Sequence, residues 1–208
     1  MNEPALKDLE RSLRESARAS EDDAARAAGR LLERADDAGL VEVAYSTLDT
    51  PLGEMLVAGT DRGLVRVALP RESFDDVVEE IAARISPRVV ELPGRVDEAR
   101  RELDQYFSGS RREFELPLDM QLIRGPFTCR LLEQMTTVPF GVAITYSEAA
   151  ERAGSPRGSR AAGNALGSNP IPVVIPCHRV VRSGGAIGGY GGGPDMKRYL
   201  LRHEGWLD

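Results

Sequence analysis

Asn169-Pro170-Ile171-Pro172-Val173-Val174-Ile175-Pro176-Cys177-His178-Arg179-Val180 is the stretch on which the reading of this chain turns. The sequence holds two cysteines and two histidines, and here one of each stands side by side. The thiolate is the nucleophilic form of cysteine, so a cysteine that reacts near neutral pH needs a base or a positive charge close by. His178 could be that base. Neighbours in sequence need not face each other, however, and Cys177 inside the apolar run 171–181 is equally compatible with a buried structural thiol.

Composition narrows the classes. The chain has 208 residues and an apolar share of 41%, enough for one large domain or two small ones. No run approaches the length of a bilayer span, and Met1-Asn2-Glu3-Pro4 lacks the basic-then-apolar pattern of a signal peptide. Two cysteines allow at most one disulfide, so a cytoplasmic protein with free thiols is expected. There is no Cys-x-x-Cys and no His-x-x-x-His, and neither a metal site nor a cofactor is expected. The net charge of −6 is unevenly spread. Residues 1–120 carry 17 basic and 27 acidic side chains, whereas residues 121–208 carry 10 basic and 6 acidic. Phosphate recognition answers to the local field, so the C-terminal part is compatible with a DNA partner despite the total.

Three textures follow one another along the chain. Residues 1–40 are acidic and rich in alanine and arginine; Leu6, Leu9 and Leu13 suit one face of a helix, and Gly39 ends the segment. From Val41 the pattern alternates. Val41–Tyr45, Glu54–Ala58 and Leu64–Leu69 read as strands joined at Thr50-Pro51-Leu52-Gly53 and Asp61-Arg62-Gly63, an antiparallel meander. Helices over 73–85 and 95–108 and a strand over 113–118 complete a small α+β domain, residues 41–118. After a linker at 119–125, residues 126–208 become helical. Pro126 opens a helix to about Thr137. Thr145 or Ser147 caps a short helix to about Ala153, and residues 157–167 form the next. Such a pair resembles a helix-turn-helix, although helical domains produce similar pairs without binding DNA. Arg160 is one long cation among the small residues Ala161, Ala162 and Gly163, which permit close approach either to a partner backbone or to another helix.

Taken together, residues 169–180, Tyr146, Arg160 to Gly163, Gly188-Gly189-Tyr190, residues 200–205 and Thr50-Pro51-Leu52-Gly53 resemble the methylated-DNA–protein-cysteine methyltransferase family, the O6-alkylguanine-DNA alkyltransferases. The resemblance covers residues 41–205. It implies a ribonuclease-H-like α+β N-terminal domain and a helical DNA-binding domain with a helix-turn-helix. It also implies a suicide repair protein, monomeric, acting on double-stranded DNA that contains O6-alkylguanine, with O4-methylthymine as a second substrate.

The same resemblance implies the roles of residues. Cys177 would accept the alkyl group, and His178 would take the thiol proton through a water while Glu204 holds and polarises it. Asn169 would brace the turn, and Tyr146 would donate to a ring nitrogen of the leaving base. Backbone groups of Cys177, Val180 and Gly191 would read the guanine edge in a pocket lined by Leu166 and Tyr190. A base inside a duplex is out of reach, so it must be flipped out. Arg160 would take its place from the minor groove, aided by Ala161, Ala162 and Gly163, while Ser147, Ser155 and Ser183 hold phosphates. Leu131-Leu132, Val142 and Gly191 depart from common family residues, and residues 1–40 have no assigned counterpart. Cys129 reads as a core or boundary residue and His203 as a helix cap or solvent-facing group. The glycines at 184–193 read as a flexible loop closing over the base pocket.

Overall fold

The computed structural model describes residues 23–208, residue 25 excepted. The expected face of Leu6, Leu9 and Leu13 lies outside the described residues. The chain parts into two compact units between Val41 and Glu42. In the first, helix α1 is described over 23–37 and stops at Gly39, whose φ is +69°. There the Leu40 amide donates to the Ala35 carbonyl at 2.9 Å, satisfying one of the carbonyls that a helix end leaves open.

The second unit begins with strands β1 (Val43–Thr50), β2 (Gly53–Thr60) and β3 (Gly63–Ala68), which form the expected antiparallel meander. Strand alternation decides its two faces. Met55 and Val57 of β2 point to one core with Val96 and Leu103, while Leu56 and Ala58 point to another with Val77 and Ile81. Helices α2 (Phe74–Arg84) and α3 (Pro93–Phe107) therefore cover opposite faces. A fourth strand, β4 (Val89–Glu91), pairs parallel to β1 and completes the order β3-β2-β1-β4. At three residues it is too short to show a period in sequence.

No strand forms over 113–118. The Glu115 amide donates to the Glu102 carboxylate at 3.0 Å, and Pro117 has no N–H, so only an isolated bridge joins Leu64 to Leu118. Gly63 makes that approach possible, since its φ is +129° and a Cβ there would lie 2.1 Å from the Pro117 carbonyl oxygen.

In the C-terminal half, α4 (Pro126–Thr136) leads to β5 (Ile144–Thr145), α5 (Tyr146–Arg152), α6 (Ser159–Gly167), β6 (Val180–Val181) and α7 (Pro194–His203). Thr145, not Ser147, caps α5: its hydroxyl accepts from the Glu148 amide while the Glu148 carboxylate accepts from the Thr145 amide. Helix α6 starts two residues later than the 157 expected, after a turn that contains Pro156. Leu131, Leu132, Ala149, Ala162 and Leu200 share one core with α3 and the sheet, so the unit is continuous across residues 119–125. The fold is α+β, with an antiparallel-rich sheet and its helices followed by a helical domain.

Candidate active site

Residues 169–176 form an irregular loop that delivers Cys177 on a single 3-10 turn, Cys177–Arg179. Asn169 organises the loop from within. Its Oδ1 accepts from the Ile171 amide at 3.0 Å, and its Nδ2 donates to the Ile175 carbonyl at 2.9 Å and to the Cys177 sulfur at 3.2 Å. Val173 adopts a φ of +74°, a left-handed conformation that costs a β-branched residue of order 1–3 kcal/mol. The buried loop around it, all core from Pro170 to Val181, holds it there.

Beyond the turn, β6 pairs parallel with β5, matching Ile144 to Val180 and Thr145 to Val181. Thr145 caps α5, so this short ladder carries Tyr146 to the turn that bears Cys177. The two meet in a cavity of about 260 Å³ shared with Gly163, Leu166, Tyr190 and Gly191. Tyr146 is held closely: a Cβ on Gly188, itself at φ +71°, would stand 2.8 Å from the Tyr146 hydroxyl. Gly163 lies 3.7 Å from the same ring by that measure.

Behind the thiol lies a buried ionic cluster. The Nε2 of His178 meets the Glu204 Oε1 at 2.8 Å, and both side chains are enclosed. Glu204 also accepts from the Tyr106 hydroxyl at 2.8 Å, from Arg179 Nε and Nη2 at 2.8 and 2.9 Å, and from the Gly141 amide at 3.3 Å. Burial alone would raise this carboxyl. The hydrogen bonds from His178 and Arg179, with the Arg179 charge, outweigh that and hold it well below the usual carboxylate range. Burial drives the His178 imidazole toward its neutral form, only partly countered by Glu204. Its Nδ1 is buried and has no hydrogen-bond partner among the described residues. Burial pushes the Cys177 thiol up, against the Asn169 amide and the Lys197 charge, which pull it down. The resting group is a thiol with an unprotonated imidazole next to it in the chain, an arrangement that needs a proton transfer before attack.

Lys197, Arg179 and Tyr106 were not assigned roles from the sequence. Lys197 is fully buried, donates to the Val180 carbonyl at 2.5 Å and the Gly189 carbonyl at 3.0 Å, and lies 5.9 Å from the Tyr146 ring centre. Burial lowers its pKa to about 8. The signal was present: Lys197 and Glu204 stand two turns apart and share a helix face with the buried Leu200 and Leu201. Tyr106 carried no signal, because it reaches the site from α3, 98 residues away.

The remaining expected residues divide. Leu166 and Gly191 line the cavity, and Tyr190 is half-buried there with its hydroxyl unpaired among the described residues. The Val180 carbonyl already accepts from Lys197 and keeps one further lone pair. Arg160 and Ala161 are exposed near the start of α6, as are Ser147 and Ser183; Ser155 is half-buried. Ala162 departs from expectation. It is completely buried in the core and packs α6 onto the protein instead of facing a groove. His203 is half-buried and serves the end of α3 and not of its own helix: its Nε2 contacts the Tyr106 carbonyl at 2.6 Å and its ring stacks on Tyr199. Cys129 is half-buried against the core, in line with a boundary residue.

Comparison with known proteins bears on the whole arrangement. Residues 43–120 match the ribonuclease-like domain of 6-O-methylguanine DNA methyltransferase, and residues 126–206 match its DNA binding domain. The methylated-DNA–protein-cysteine methyltransferase of Mus musculus is 40% identical over 173 residues, spanning 77% of this chain and 81% of the mouse protein. The chain belongs to the methylated-DNA–protein-cysteine methyltransferase family. A second methyltransferase of this family, from Mycolicibacterium paratuberculosis, is 35% identical and covers 78% of this chain and 92% of its own length. Among solved structures, Mycobacterium tuberculosis OGT in complex with DNA superposes with a TM-score of 0.67 at 33% identity, covering 79% of this chain and 94% of that one. The family carries the enzyme class and the two-part fold, both as expected from the sequence. Among the described residues, no helix is long and apolar enough to cross a membrane.

Proposed function

We propose that this methyltransferase repairs double-stranded DNA by moving the alkyl group of O6-alkylguanine, and of O4-methylthymine, irreversibly onto Cys177, each monomer acting once. The thiol proton passes through a water to His178 Nδ1, and Glu204 stabilises the resulting imidazolium. The thiolate attacks the alkyl carbon in line with the departing oxygen, so one S–C bond forms as one C–O bond breaks. Tyr146 donates to a ring nitrogen of the base as it gains negative charge, and Asn169 keeps the thiolate in place. Backbone groups of Cys177, Val180 and Gly191 read the base edge between Leu166 and Tyr190. The target nucleotide is flipped out through the minor groove. The exposed Arg160 fills the gap, with Ala161 and Gly163 allowing approach, while Ser147, Ser155 and Ser183 meet phosphates.

The observation that supports this most directly is the pairing of His178 with Glu204 at 2.8 Å while its other ring nitrogen has no partner among the described residues and the adjacent Cys177 opens into the Tyr146 cavity. Duplex DNA carrying O6-methylguanine tests it. Mass spectrometry is expected to find one methyl group on the Cys177 peptide after a stoichiometric burst. Tight binding with an unmodified Cys177 would replace the reading with a lesion sensor, and multiple-turnover ester cleavage with a hydrolase. Arg160→Ala is expected to slow reaction with duplex DNA more than with a free base analogue. Equal slowing of both would remove Arg160 as the wedge.

A further inference from the structure

Arg66 is a charged residue in the middle of a core strand, and it is only 7% exposed. A buried guanidinium is costly unless its donors are paired, so its partners show what the protein gains by keeping it. Nη1 donates to the Val67 carbonyl at 2.6 Å and to the Pro170 carbonyl at 3.3 Å. Nη2 pairs with the Glu72 carboxylate, and Nε lies 3.9 Å from Glu80. Pro170 also accepts from the Val67 amide at 2.9 Å, so two donors of β3 converge on one carbonyl. That carbonyl follows Asn169, the residue whose amide donates to the Cys177 sulfur.

Glu72 extends the same network to a second wall. It accepts from the Leu69 amide at 2.6 Å, and Leu69 closes against the glycine loop, where a Cβ on Gly192 would meet it at 3.2 Å. Arg66, Leu69 and Glu72 thereby line a cavity of about 250 Å³ that also reaches Asn169, Cys177 and Tyr190. Two contacts of the guanidinium, those to Pro170 and Glu72, thus end on groups that shape the surroundings of the thiol.

We propose that Arg66 is a positioning residue for alkyl transfer: from the N-terminal sheet it clamps the Asn169–Pro170 turn and the Leu69 wall, keeping the Asn169 amide on the Cys177 sulfur. The inference rests on the alkyl-transfer reading above. Its test therefore includes a reaction of Cys177 that needs no DNA. The other ionisable groups around the thiol are His178, Lys197 of α7, Tyr190 of the glycine loop and Tyr146 of α5, and none of them hydrogen-bonds Arg66.

Arg66→Met, Arg66→Lys and Glu72→Gln are compared with the wild type in three measurements on the full chain. These are the pH profile of Cys177 carboxamidomethylation by iodoacetamide, the single-turnover rate with O6-methylguanine DNA, and affinity for unmodified duplex. Arg66→Met is expected to slow single-turnover transfer by roughly tenfold or more, as small misplacements of a reacting group do. Its thiol profile is expected to move to higher pH by about half a unit to one unit, the size of one weakened hydrogen bond to the thiolate. Affinity for duplex stays unchanged and Arg66→Lys recovers part of both effects. Should Arg66→Met not fold, Glu72→Gln, which keeps the side chain's shape, is expected to show the same direction of shift. A thiol profile superimposable on the wild type, or losses that follow only the folded fraction, would overturn the proposal. A wild-type protein whose Cys177 reacts with iodoacetamide yet takes no methyl from DNA would instead overturn the function and leave the clamp measurable.

Discussion

Replacing Glu204 by glutamine examines the buried cluster most sharply. Every group that meets this carboxylate is a donor: Tyr106, His178 and Arg179 Nη2 on Oε1, Arg179 Nε and the Gly141 amide on Oε2. An amide NH₂ placed on either side faces donors. The lesser conflict puts it opposite Arg179 Nε and Gly141, and it leaves the Arg179 guanidinium, only 7% exposed, without its counter-charge. Breaking a buried pair by removing one partner costs about 3–5 kcal/mol, and the three contacts surviving on Oε1 place this case near 3 kcal/mol. For a domain of this size that lowers Tm by roughly 6–12 °C. Adding Arg179→Met removes the stranded charge and fills its volume, so the double variant is expected to be more stable than Glu204→Gln alone. Thermal unfolding of the wild type, both single variants and the double variant measures this as a coupling energy. A Glu204→Gln protein melting within about 2 °C of the wild type, or a double variant less stable than either single, would refute the buried-charge account.

The other predictions concern charge and close approach. Because the folded carboxyl of Glu204 is held low, its contribution to stability is complete above the unfolded value of roughly 4.3 and is lost as pH falls toward the folded value. The Tm gap between wild type and Glu204→Gln should therefore narrow in acid; a gap constant down to pH 3 would contradict the shift. Lys197, lowered to about 8, carries a burial penalty that is complete below that pH and is relieved as pH rises toward the unfolded value of roughly 10.4. Wild-type stability should gain over that window relative to Lys197→Met, as differential Tm values at pH 7.5 and 10 would register. The same variant, lacking the cation that favours the thiolate, should alkylate Cys177 with iodoacetamide roughly tenfold more slowly at pH 7, one unit of thiol pKa. Gly63→Ala puts a Cβ 2.1 Å from the Pro117 carbonyl oxygen at a φ of +129°, and should destabilise by about 2–4 kcal/mol in urea unfolding.

Much of the chemistry was readable from local sequence. The Cys177-His178 adjacency, the turn at Thr50–Gly53 and the period-two strands are properties of neighbouring residues, and the structure keeps the three-strand meander, with the first strand running on from the expected Tyr45 to Thr50. Short or irregular pieces were not readable. Strand β4 has too few residues for a pattern, and residues 113–118 have the composition of a strand but give the Glu115 amide to Glu102 and hold a proline at 117. Ala162 shows a related limit: a small residue suits close packing, but its sequence does not tell whether the partner is DNA or the protein's own core.

Sequence by itself determined that a thiol, an imidazole and a carboxylate were available, the first two side by side in the chain. Only the tertiary structure decided their state. Tyr106 and Arg179 converge on Glu204 from different elements, Lys197 turns inward to Val180, and Arg66 reaches from β3 to Pro170. The reason is physical: charge and proton affinity depend on burial and on partners within a few ångströms. Residues brought within that range can lie some hundred positions apart along the chain, as Arg66 and Pro170 do, where no local pattern records the contact.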